Sequence, residues 1–161
     1  MNSAREITIT LDKLSCQSEV QVSGSNPYIW PAMVFINKRT LQVGLVSIPE
    51  TSAHRILKAG MRPGDIVDIE PQIGALHRFF QEPVEETVLL LTVALFEDNE
   101  TPDDAVRAGF RAFRSTLRSS IESRLFALGS QNPEDVEAAR EEIAQEVEDA
   151  VTAATSGALS T

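Results

Sequence analysis

Residues 85–104, EETVLLLTVALFEDNETPDD, decide the architecture of this chain. Thr87 to Phe96 is its longest hydrophobic run, and it has the length of a strand, well short of the roughly 18 apolar residues that open a membrane span. Being apolar on both faces, it predicts a central strand covered on both sides, the buried spine of the molecule. It empties into a dense acidic cluster, Glu97, Asp98, Glu100, Asp103 and Asp104. Upstream the pattern is one of short strands and turns. Downstream the apolar period becomes that of a helix.

Towards the N-terminus, Ile7, Ile9 and Leu11 alternate with Thr8, Thr10 and Asp12, a half-buried strand that extends to Leu14 with a slip in its period. Gln17 to Asn26 is small and polar and predicts a loop. Tyr28 to Ile36 is apolar again, and Pro31 within it predicts an edge strand or a bulge, because proline cannot donate to a ladder. Asn37-Lys38-Arg39-Thr40 predicts a hairpin turn into Leu41 to Ile48. Thr51 to Gly60 has weak helical character, and Arg62-Pro63-Gly64-Asp65 predicts a type II turn. Ile66, Val67 and Ile69 form a short strand closed by Pro71. Ala75 to Gln81 fits either kind of element, with His77, Phe79 and Phe80 able to cover one end of a sheet.

Towards the C-terminus, Thr101 before Pro102 is a helix start, and Asp103 and Asp104 complement the helix dipole. Val106, Phe110, Phe113, Leu117, Ile121 and Leu125 form one apolar stripe ending at Gly129. Asn132-Pro133-Glu134-Asp135 repeats the start signal, and Val136, Ile143, Val147 and Val151 form a second stripe. A connection of about five residues predicts an antiparallel helical hairpin. Arg107, Arg111, Arg114 and Arg118 line one flank of the first helix, while Glu137, Glu141, Glu142, Glu146, Glu148 and Asp149 crowd the second. The two flanks are expected to pair across the hairpin, or one of them to meet a partner.

Composition narrows the function classes. A chain of 161 residues with a formal net charge of −10 has no basic surface with which to displace counterions from nucleic acid, and an anionic membrane surface is disfavoured for the same reason. Cys16 is the single cysteine, so an internal disulfide and a cysteine-rich metal site are excluded. A basic segment followed by an apolar one is missing from the first residues, so a cytoplasmic protein is the expectation. Glycine-rich phosphate loops, GxSxG, HExxH and CxxC are all missing from the sequence, and His54 and His77 stand apart from any nucleophile motif. Glu97, Asp98, Glu100 and their neighbours are the one cluster with ligand chemistry. Calcium takes six to eight hard oxygens, which bunched carboxylates supply; the competing reading is a capped helix start with solvated acids before it.

The segment Gly24 to Trp30, GSNPYIW, the strand Ile7 to Leu14, and the run Thr87 to Asp98 together resemble the C2-domain pattern. More specifically they resemble a bacterial group of C2-like sandwiches of uncharacterised role that insert a helical pair after an acidic loop. The resemblance covers residues 6–100 with gaps. It implies an α+β chain: an antiparallel β-sandwich over residues 1–99, a helical hairpin over 100–155 appended to the same domain, and a flexible tail over 156–161. It also implies calcium at one end of the sandwich, where Asn26 would join Glu97, Asp98 and Glu100. Two departures stand out: Asn26 replaces a ligand aspartate, and an Asp-x-Ile-Gly type segment after the acidic loop is missing. The leading functional expectation is a non-enzymatic binding module that recognises a protein partner through those loops, weakly dependent on calcium. Its competitor is an assembly subunit that self-associates through the hairpin, and an enzyme of unknown type stands third.

Overall fold

The structure is a computed structural model that describes residues 5–18, 24–81 and 83–160. Of the loop expected over residues 17–26, residues 19–23 lie outside that range. In chain order the elements are β1 (Arg5–Thr10), β2 (Lys13–Ser15), β3 (Pro27–Asn37), β4 (Val43–Ser47), β5 (Ile66–Asp68), the short helix α1 (Pro71–Gly74), β6 (Ala75–Phe80), β7 (Thr87–Glu97), α2 (Asp103–Ser123), α3 (Leu125–Leu128) and α4 (Pro133–Leu159). The class is α+β: small sheets in the first part of the chain, then two long packed helices. β1 pairs antiparallel with β6, from Arg5 opposite Phe80 to Thr10 opposite Ala75. β2 pairs antiparallel with β5, and the third sheet has the order β4-β3-β7.

The chain clusters into two compact units, residues 1–33, 46–81 and 91–101 in one, residues 34–45, 82–90 and 102–161 in the other.

In the first unit, the slip in period after Ile9 has a physical cause. β1 pairs with β6 and β2 with β5, and the chain changes partner at Leu11 and Asp12, where Leu11 N donates to Gly74 O (2.9 Å) and Ile69 N to Asp12 O (2.8 Å). Gly74 is required there, because a Cβ at that position would lie 2.3 Å from Leu11 O. Ile29, Ile69 and Ile73 are buried together, with Leu11, Leu14 and Leu57 packed against them. The turn expected at Arg62-Pro63-Gly64-Asp65 forms, with Asp65 N donating to Arg62 O at 2.9 Å and Gly64 at φ +90°, the conformation a type II turn needs at its third position. The helical character of Thr51 to Gly60 is realised only as one 3-10 turn, Glu50–Ser52.

β3 corrects the expected centre of the fold. It is β3, and not β7, that lies between two neighbours, and Pro27 to Val34 are all buried. Pro31 does not make it an edge. Asn37 N donates to Gln42 O (2.9 Å), which anchors the hairpin into β4. Counted back from that bond, β4 is used up opposite Ala32, so the N–H that Pro31 lacks falls beyond its reach.

In the second unit, α2 and α4 pack as an antiparallel hairpin. Val106, Phe110, Phe113, Leu117 and Ile121 of α2 are buried as their spacing predicts, and so are Ile143, Val147 and Val151 of α4, with Ala139 added and Val136 only half-buried. Asn132 Oδ1 accepts from Glu134 N at 3.2 Å, capping α4 one residue before Pro133. The stretch expected to be a loose tail continues α4 to Leu159, since its alanines favour helix once a helix is under way. The ion pairs described across the hairpin come from Arg124, just past α2, to Glu142 (2.8 Å) and Glu146. Ser120 Oγ also donates to Glu146.

Candidate functional site

Asn26 and Asp98 lie side by side, each bonded to backbone groups. Asp98 N donates to Asn26 O at 2.9 Å. The side-chain oxygen Asn26 Oδ1 accepts from Gly60 N at 2.8 Å, and Gly60 sits at φ +63°, a conformation that favours glycine. Asp98 Oδ1 accepts from Thr101 N at 3.0 Å. The Asp98 carboxylate therefore closes the acidic turn onto itself, a local side-chain to backbone bond of the kind aspartate favours in turns. Glu97 and Glu100 are exposed, and Glu100 has φ +62°. Among the described residues, no group of three or more His, Cys, Asp or Glu side chains is placed to hold a metal ion.

His54, a residue that no spacing connects with the acidic turn, joins this cluster. Its Nε2 lies 3.2 Å from Asp98 Oδ1, with both side chains mostly buried. The Tyr28 ring meets the His54 ring edge-on at 5.3 Å between centroids and stacks on Phe96 at 5.2 Å. Trp30, two residues along β3 from Tyr28, packs against Phe96 at 4.1 Å, and its Nε1 donates to Ala53 O at 2.7 Å. Burial, and then the negative charge of Asp98, push the Tyr28 hydroxyl up to about 12. It therefore stays protonated at neutral pH. The cluster is an aromatic clamp around one carboxylate, and its chemistry is that of a joint.

Phe96 also reveals which way β7 faces. Phe96 packs on Tyr28 and Trp30, and the even-numbered residues from Val88 to Phe96 are half-buried. Leu89, Leu91, Val93 and Leu95 alternate with them and are exposed, from 37% at Leu89 to 58% at Leu95. A run apolar on both faces predicts cover on both. Only one face is covered. Among the described residues β7 also forms the edge of its sheet, and an edge strand presents N–H and C=O groups able to receive a further strand.

No protein family, no curated protein and no solved structure matches this chain. No helix among the described residues is long and apolar enough to cross a membrane. Sequence reasoning missed His54 and Tyr28 as partners of Asp98, and the exposed face of β7. The alternation within β7 was invisible because both of its faces carry leucine, valine or alanine.

Proposed function

We propose that this chain is an assembly subunit that associates with other protein through strand β7. One observation carries this reading: four aliphatic side chains, Leu89, Leu91, Val93 and Leu95, stand exposed in a row on an edge strand. Folded chains blunt long apolar edge strands with charge, proline or a bulge unless a partner covers them. β7 has none of these between Thr87 and Phe96. The helical hairpin is the weaker candidate for assembly, because its apolar stripes are already buried. The test is sedimentation velocity over a dilution series. The native chain is expected to associate reversibly, and Leu91→Lys with Leu95→Lys is expected to abolish this while leaving the melting temperature within a few degrees. A native chain that is monomeric at every concentration, or association that survives both lysines, contradicts the reading.

A second reading keeps the loops as a recognition end of a C2-like sandwich with weak calcium binding. The bond between Asp98 N and Asn26 O favours it, since it places the two loops side by side. Against it stand the commitments of Asp98 Oδ1 and Asn26 Oδ1 to backbone donors. A calcium titration that shifts the amide signals of Asp98 and Glu100 and raises the melting temperature supports it; unchanged spectra at millimolar calcium dismiss it.

A further inference from the structure

The exposed face of β7 is self-complementary about its own midpoint, and we infer that a second copy of this chain occupies it, β7 against β7, antiparallel, in a register centred on Thr92. The inference rests on the assembly reading above and gives it a partner and a geometry.

β7 runs from Thr87 to Glu97, and its exposed aliphatics run from Leu89 to Leu95. Strand and stripe share the same centre, Thr92. In the register centred there, Leu91 lies opposite Val93 of the second copy and Leu89 opposite Leu95, each twice over through the two-fold axis. Directly opposed residues in an antiparallel pair point to the same face. A slip of one residue would set exposed residues against covered ones, and a slip of two would leave a leucine facing Thr87 or Glu97. Parallel pairing of the same two edges is ruled out by symmetry, because the axis would then run along the strands and turn the two stripes to opposite faces.

Charge at the strand ends agrees. Glu97 stands exposed at one end. At the other, Lys38 N donates to Glu86 O at 2.7 Å and Lys38 Nζ to Glu85 O at 3.3 Å, which sets the Lys38 ammonium at that end. Antiparallel pairing brings each Glu97 to the end that carries Lys38 and keeps the two Glu97 carboxylates apart.

The paired strands would be about 36 Å long. The aliphatic stripe offers on the order of a few hundred Å², comparable to the largest apolar patch on an ordinary monomer, against about 800 Å² per partner in a standard interface. The dimer is therefore a weak one that dissociates on dilution.

Cysteine cross-linking in a Cys16→Ser background tests the register. Directly opposed antiparallel residues have Cα separations of about 4.5–5.5 Å, within disulfide range, whereas diagonal neighbours are about 7–8 Å apart. The double variant Leu91→Cys with Val93→Cys is expected to give a covalent dimer on mild oxidation, with peptides linking residue 91 of one copy to residue 93 of the other. Each single variant should give several-fold less. Thr87→Cys with Glu97→Cys should behave like the double variant and serves if that variant folds poorly, as judged by circular dichroism. Single variants that cross-link as well as the doubles would overturn the register while leaving assembly through β7 standing. A native chain that sediments as a monomer up to several hundred micromolar would overturn both.

Discussion

β3 and β7 are both eleven residues long and belong to the same sheet, yet they are buried in opposite ways. β3 contains two prolines, a tyrosine and a tryptophan, and its first eight residues are all buried. β7 is richer in aliphatic side chains and exposes every second one. The hydrophobicity of a strand reports what it can cover, not what covers it. Position in the sheet decides the rest, and the middle place goes to the strand that carries the large aromatic anchors.

The largest effect should come from breaking β3. Trp30→Ala removes a side chain that is 1% exposed and the bond its indole N–H donates to Ala53 O. A loss of about 3–5 kcal/mol in urea unfolding is expected. Leu95→Ala in β7 should cost under about 1 kcal/mol, because its side chain already lies more than half in water. Equal losses at the two sites would erase the contrast between the strands.

Asp98→Ala sharpens the comparison at the end of β7, where the strand is held by polar contacts. It removes the acceptor for Thr101 N and the carboxylate beside His54. A loss of about 1 kcal/mol is expected, the scale of a helix-cap deletion. Unchanged stability would deny Asp98 its role as a joint.

The smallest effect concerns the helical hairpin, where charge pairs lie at the surface. The Arg124 guanidinium, and then the Ser120 hydroxyl, hold the Glu146 carboxyl below its ordinary range. A carboxyl depressed in the folded state stabilises above its unfolded pKa, and this contribution fades as pH falls through the folded value. Glu146→Gln should therefore lower the melting temperature slightly at pH 7, and the difference from the native chain should shrink as pH falls below the ordinary carboxylate range. Exposed pairs contribute little, so a large difference, or one that grows in acid, would contradict this account.

Much of the helical half was legible in the sequence. Pro102 and Pro133 sit at helix starts, and the stripe from Val106 to Ile121 needs only a period of 3.6 to be read. The hairpin turn at Asn37 and the type II turn at Gly64 were legible too, because their residues have local reasons to be there. What could not be read depends on contacts distant in sequence. His54 reaches Asp98 across 44 positions without a motif. The place of β3 between two neighbours depends on β4 ending opposite Ala32, a matter of strand length that Pro31 alone does not reveal. The two faces of β7 carry similar residues, so alternation gave no sign that only one of them is covered.

Amide hydrogen exchange along β3 and β7, followed by NMR at low and at high protein concentration, tests the central claim most directly. At low concentration the account predicts slow exchange through the buried part of β3, and alternating slow and fast amides along β7 as one row of N–H groups faces water. At high concentration the fast row of β7 should become protected. Uniform protection of β7 at every concentration, or fast exchange through β3, would contradict it.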